Sequence, residues 1–543
     1  MNKPLKNTIA ISTLIGLMAL TGGTCYSAHK SMNNVLPLEM RKNISNNHQS
    51  QKTAEPSNKK APLGSKPPQM KKQSLNPLYY GVFTAEALAI SLAAAYLIMT
   101  KGSKKDIKDV LKNKDQKIIA GLTVALLTGG ITYVNTKIAS VQTNRMTMQV
   151  SQNSASASGT VTVSKDKTLT GSYSSSSQDQ SVILVNGGTA SINNAQIIKK
   201  GDTGNIENSE FYGINSGILV QKNSTAIIKN STINTSSKGS NAVFATGTKA
   251  KITISDSTIK TTGSSGSRGL DATYGGSIIG NNLKISTLGQ SSATLATDRG
   301  EGNIHVSNST LKTNGGGSPL IYSTGNISVN KTTGIANNSQ IAVVEGKNSA
   351  SVRSSTLYAN GSGNRNHVDD AGIMIYQSMS GDASSGTGVF SASQSSLNIS
   401  STSKYYKTAP MFFITNTNAK INLANTQLNY GSGILLNAAA TSEWGKSGSN
   451  GATVTLNASS QTLAGNINAD KLSSVTLHLK TSSYKGAINN KNTAKNITLT
   501  LDKSSSITLT GDTYITSLND EDTSYSNIHL NGYKLYVNGK ALL

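Results

Sequence analysis

Lys251-Ile252-Thr253-Ile254-Ser255-Asp256-Ser257-Thr258-Ile259 is a strand, a corner and a second strand in nine residues. Ile252 and Ile254 alternate with polar residues, as they do when one face of a strand is buried. Asp256-Ser257-Thr258 interrupts the alternation with side chains that bond their own backbone in turns, and Ile259 resumes it. The same phrase returns at Ile227 to Ile233, Ile304 to Leu311 and Val352 to Leu357, and more loosely at Ile192 to Ile197, Ile278 to Ile285, Val389 to Leu397 and Ile421 to Leu428. A second phrase, a short apolar run before a Gly/Thr/Asn-rich turn, alternates with the first: Ile218-Leu219-Val220, Val243-Phe244, Leu295, Leu320-Ile321, Ile341 to Val344, Ile373 to Ile375, Met411 to Ile414, Ile434 to Leu436. Its copies lie 25, 26, 22 and 22 residues apart between Leu219 and Phe244, Leu295 and Ile321, Ile321 and Val343, and Phe413 and Leu435. Periods of this size mark a solenoid, and the spacing predicts an all-β chain whose residues 165–543 form a right-handed parallel β-helix.

From Val454 the alternation tightens, with Thr on the outward positions of Val475-Thr476-Leu477 and Ile497-Thr498-Leu499. An Asn-Gly turn within Ile528 to Gly539 predicts a hairpin that caps the last rung. Gly361 to Asp370, Gln377 to Gly388 and Thr441 to Gly451 read as loops protruding from the coils, where recognition usually resides.

Composition agrees with a solenoid. Only 36% of residues are apolar and 5% aromatic, which suits coils that share a few inward side chains with their neighbours. The lone cysteine, Cys25, excludes a disulfide framework and a cysteine-rich metal site. Of the net charge of +24, residues 1–145 contribute 20 Lys+Arg against 6 Asp+Glu. No recognition motif accompanies this charge, so the expectation is attraction to anionic envelope material and no nucleic acid.

The first third predicts export and anchoring. Residues 1–28 resemble a signal peptide, with Lys3 and Lys6 ahead of the apolar stretch Thr8 to Leu20, and Cys25 is a candidate for lipidation. Residues 29–78, rich in Pro, Asn, Ser and Lys, read as a disordered basic linker. Within 79–134, Tyr79 to Met99 and Ile118 to Val134 are membrane-span candidates around a Lys-rich loop that the positive-inside rule assigns to the cytoplasm. A second linker, 135–164, leads to the repeats. The predicted location is the cell membrane, with the repeats on the extracytoplasmic face at the cell surface and membrane lipid held through the helical hairpin.

Four phrases, Gly266 to Gly276, Ala293 to Gly300, Trp444 to Asn450 and Leu509 to Tyr514, resemble those of secreted bacterial adhesin-like β-helix proteins with a pectin-lyase-like fold, similar to autotransporter passengers but without a C-terminal barrel. The resemblance implies the architecture and no settled activity, and the membrane hairpin departs from the usual secreted pattern of that group; together with the span candidates the expectation is a membrane-anchored surface protein binding glycans or cell surfaces through a repetitive polar face, without catalysis. Its alternatives are a polysaccharide lyase or hydrolase on the same fold, and a non-binding surface stalk.

The candidate binding residues are Arg268, Asp271, Asp298, Arg299 and Glu345 near corresponding corners of successive rungs, His367, Asp369 and Asp370 in one loop, and Trp444 in another. For the first group the ordinary alternative is a row of ion pairs along a solvated corner. No metal site or cofactor is expected: the spacing of Asp520, Glu521 and Asp522 lacks the Gly/Asp nonapeptide of calcium-binding β-rolls.

Overall fold

A computed structural model describes residues 156–360 and 370–542. The signal-like segment, Cys25, the 29–78 linker, the 79–134 hairpin, His367 and Asp369 lie outside the described residues. Among the described residues the chain is all-β, and no helix is long and apolar enough to cross a membrane. Strand begins at Ser158, inside the stretch expected to be linker.

Each coil contributes one short strand to each of three parallel stacks. The first stack runs in order through Ser158–Val163, Gln180–Val185, Ile218–Val220, Val243–Thr246, Leu270–Thr273 and onward to Asn466–Ala469. It continues through Ile488 to Thr513–Ile515 and Leu535–Val537. In the second stack Ile252 lies beside Ile278, then Ile304, Ile327, Ala350, Phe390, Ile421, Leu456, Leu477 and Leu499. All of these are buried. Adjacent strands are about 4.8 Å apart, so each inward side chain rests on those above and below it and is shielded from water without a large core. The third stack holds Thr232–Thr235, Thr310–Thr313, Thr356–Ala359 and their successors to Gln427–Asn429, and after a break in the pairing a separate four-stranded sheet runs from Thr462–Ala464 to Ile528–His529. Three long strands, Thr189–Lys199, Lys251–Thr261 and Ser277–Thr287, run through the corner that joins the second stack to the third.

That corner explains the Asn/Asp-Ser-Thr phrase. Its first residue takes the left-handed conformation, with φ of 50° at Asn230, 51° at Asp256, 53° at Asn282 and 51° at Asn308, which short polar side chains tolerate best. Except after Asn282, where Leu283 stands, the residue that follows is a serine that is buried and bonded across coils. Ser257 Oγ accepts from the backbone N–H of Ser231 at 3.1 Å and donates to Ser255 O at 2.7 Å. Ser309 receives the N–H of Leu283 (2.9 Å), Ser355 that of Thr332 (3.0 Å), Ser395 that of Ser355 (3.2 Å) and Ser505 that of Ser482 (3.0 Å). The bend would otherwise strand these N–H groups inside the protein. A second hydroxyl row, at the entry to the first stack, links Ser240, Ser267, Ser292 and Ser318 in the same way.

Every strand pairing among the described residues is parallel except the last. Leu535–Val537 turns back through Asn538-Gly539, both at positive φ, to pair antiparallel with Lys540–Ala541. The expected hairpin therefore sits one turn further along the chain and closes only the first stack. Asn531-Gly532 instead forms the corner between Ile528–His529 and Leu535–Val537.

Candidate functional site

The outward residues of the first stack form one row in register: Leu184, Leu219, Phe244, Asp271, Ala296, Tyr322, Val343, Met374, Phe413, Asn437, Asn468. Its two apolar sections are covered. Over the first lies the helix Ile206–Tyr212, capped by the Asn205 side chain, which accepts from the N–H groups of Glu207 and Asn208, and ended by Gly213 at φ 68°. Its Phe211 and Tyr212, with Ile214, pack on Leu184, Leu219 and Phe244. Over the second lies Trp444, packed on Val343, Met374 and Phe413 and edge-on to Tyr376 at 5.1 Å.

Between the covers the row turns ionic. Arg268, at the entry to Leu270–Thr273, reaches Asp271 at 3.0 Å, Asp298 at 2.9 Å and the helix residue Glu210 at 3.6 Å. Arg299 is bound to Asp382 by Nε and Nη2 (2.9 and 2.7 Å) and lies 3.7 Å from the centre of the Phe211 ring. Glu345 accepts from the hydroxyls of Tyr322 (2.8 Å) and Tyr376 (2.9 Å) and from that of Ser378. Arg268 thus ties the helix to the sheet, while Arg299 and Glu345 tie down the 376–386 loop.

Burial dominates the electrostatics. It pushes the Asp271 carboxyl up to about 7, against the pull of Arg268. It raises Asp298 well above the carboxylate range, again opposed by Arg268. Burial disfavours the Arg268 cation too, but Asp298, Asp271 and Glu210 outweigh it, and the guanidinium holds its proton more firmly than an ordinary arginine. Tyr322 is raised by burial and by Glu345. One guanidinium facing three carboxylates in a dry site favours retention of a proton on the acids. Asp271 Oδ1 is buried with no hydrogen-bond partner.

Of the candidate residues, Arg268, Asp271, Asp298 and Glu345 come together, joined through Glu210, Tyr322 and Tyr376. They are 6%, 0%, 4% and 1% exposed, so they are not ion pairs on a solvated corner. Trp444 is 8% exposed. Its loop does not protrude but folds back over the first stack, held by Asn450, whose amide donates to Thr441 O and Trp444 O. Asp370 is buried too. Among the described residues no group of three His, Cys, Asp or Glu is placed to hold a metal ion.

The outward face of the second stack stays open. His305, Ser328, Ser351, Ser391, Asn422, Asn457, His478, Thr500 and Asn519 form one outward row in register. Part of it is cross-bonded, His305 with Ser328 (2.6 Å), Asn422 with Ser391 (3.0 Å) and Asn457 with Asn422 (2.8 Å). Comparison of the chain with protein-family models, with curated proteins and with solved structures gives no match.

Proposed function

We propose that the solenoid is a right-handed β-helix of the adhesin-like, pectin-lyase-like kind, anchored in the membrane by residues 79–134 and displayed outside the cell, where it binds glycans or cell surfaces without catalysing a reaction. Right-handed connection is the rule for parallel strands of one sheet. The observation that carries the binding reading is the outward row of the second stack, which repeats hydroxyl, amide and imidazole groups at steps of about 4.8 Å from His305 to Asn519. Weak contacts repeated along a rigid face sum to useful avidity.

Two measurements test this. An antibody to residues 440–543 should stain intact cells, or spheroplasts where an outer membrane intervenes; staining only after the inner membrane is breached reverses the topology. The full-length chain on a glycan array should retain at least one glycan class. A blank array supports the stalk instead.

The enzyme reading has one observation in its favour, the Asp271 carboxyl held near neutrality beside Arg268. Polysaccharide turnover by the full-length chain that disappears in Asp271→Asn, with the circular dichroism spectrum intact, would establish it.

A further inference from the structure

The turns that leave the first stack open into a furrow. On five successive coils its wall is formed by Gln377, Asn416, Ser449, Lys471 and Lys495, around a cavity of about 620 Å³. A second hollow of about 570 Å³ shares Lys471 and Leu472 with the first and continues over Asn437, Asn468 and Asn490. Four coil steps of about 4.8 Å make the furrow roughly 19 Å long, parallel to the solenoid axis. Gly451 lets two coils approach closely in its lining: a Cβ there would lie 2.3 Å from Leu472 O.

Two features of the lining bear on what it can bind. The first is charge. Lys471, Lys491 and Lys495 are exposed and take part in none of the ion pairs among the described residues. Asp470, the one acid in the lining, is already committed: its oxygens accept from the N–H groups of Ala440 and Leu472 and from the Ser473 hydroxyl. The second is the state of the amides. Elsewhere on the solenoid, asparagines on neighbouring coils bond one another, Asn326 to Asn303 (3.2 Å), Asn457 to Asn422 (2.8 Å) and Asn429 to Asn398 (2.6 Å). Asn437 and Asn468 are also in register, yet among the described residues neither side chain bonds the other or any other group.

We propose that this furrow is a binding site for an anionic, polyhydroxylated polymer lying along the solenoid axis. The ammonium groups meet its acid groups, and each free carboxamide offers a donor and an acceptor to hydroxyls on the chain. No aromatic ring lines either hollow, so a neutral sugar has no stacking platform to hold it. The step from coil to coil is close to the length of one sugar ring in an extended chain, so successive rings meet the polar side chains of successive coils. The site deepens the glycan-binding reading and rests on it.

The test is retention of the full-length chain by immobilised alginate, a polyuronate, and by poly(glycerol phosphate), with dextran as the neutral control. Retention by one or both polyanions, weakened by salt and absent on dextran, is the expected result, and the polymer retained more strongly identifies carboxylate or phosphate as the acid group. The Lys471→Gln/Lys491→Gln/Lys495→Gln variant should lose roughly tenfold or more in affinity. Asn437→Ala/Asn468→Ala should weaken binding while leaving its salt dependence unchanged. Lys251→Gln/Lys284→Gln, which alters exposed lysines outside the furrow, should bind as the parent does. Polyanion binding that survives the triple lysine variant, or falls equally in the Lys251/Lys284 control, overturns the furrow. Binding of neutral glycans alone overturns the furrow and leaves the adhesive reading standing. Binding of no polymer overturns both.

Discussion

Ser257 shows why a hydroxyl is required at a buried corner. Its Oγ takes the N–H of Ser231 and returns a hydrogen bond to Ser255 O, so alanine leaves a buried donor unpaired. Ser257→Ala should lower stability by about 1–3 kcal/mol, read as a fall in the urea midpoint, whereas Thr258→Ala, on the outward side of the same corner, should stay within about 0.5 kcal/mol. Asp271 gives a pH signature. Burial raises its carboxyl from 3.8 to about 7, so the folded chain keeps a proton that the unfolded chain releases. That stabilisation is complete below the unfolded value and is lost as pH rises from about 4 through about 7. Asp298 acts in the same direction. Stability should therefore decline over this interval, and Asp271→Asn should flatten the decline; an unchanged pH profile in the variant would show that the proton resides elsewhere.

The helix Ile206–Tyr212 is too short to be stable alone and depends on its caps and on the sheet beneath it. Asn205→Ala removes the acceptor for two N–H groups and should cost about 1 kcal/mol. Gly213→Ala should cost more, because it places a Cβ at φ 68° and 2.5 Å from the Phe244 ring. Differential scanning calorimetry on the two variants checks the order. This element also marks where the sequence became hard to read. Seven residues are too few to display a 3.6-residue period, so Glu210, the partner that makes Arg268 a tie between helix and sheet, had no signal of its own. Trp444, alone in a Gly/Ser/Asn stretch, looked like an exposed contact for the same reason. A clue to both covers was nevertheless present. Runs such as Ile218-Leu219-Val220 and Met411 to Ile414 are apolar without alternation, and a strand apolar on both faces is covered on both.

The coil period was legible because each inward position must repeat once per coil, and insertions fall in the turns without disturbing it. The order of stacks followed from two phrases in fixed alternation. How far each insertion folds back was not legible, since that depends on contacts between coils far apart in sequence, such as Arg299 with Asp382. In a molecule of this kind each coil touches only its neighbours, so stability is close to a sum of local terms. Excising residues 326–348 joins Gly325 to Ser349, the residue that pairs with Asn326, and should leave a cooperatively unfolding, slightly shorter solenoid by circular dichroism and small-angle scattering. Excising 326–337 puts strands of different stacks in the same place and should abolish the fold.

The two buried hydroxyl rows also give the molecule a polarity. From Ser231 onward in one, and from Ser240 to Ser318 in the other, each backbone donor points toward the following coil and each receiving oxygen belongs to that coil. The rod therefore has a donor-facing end and an acceptor-facing end, much as a magnet has unlike poles, and two such rods laid end to end could continue these rows only head to tail.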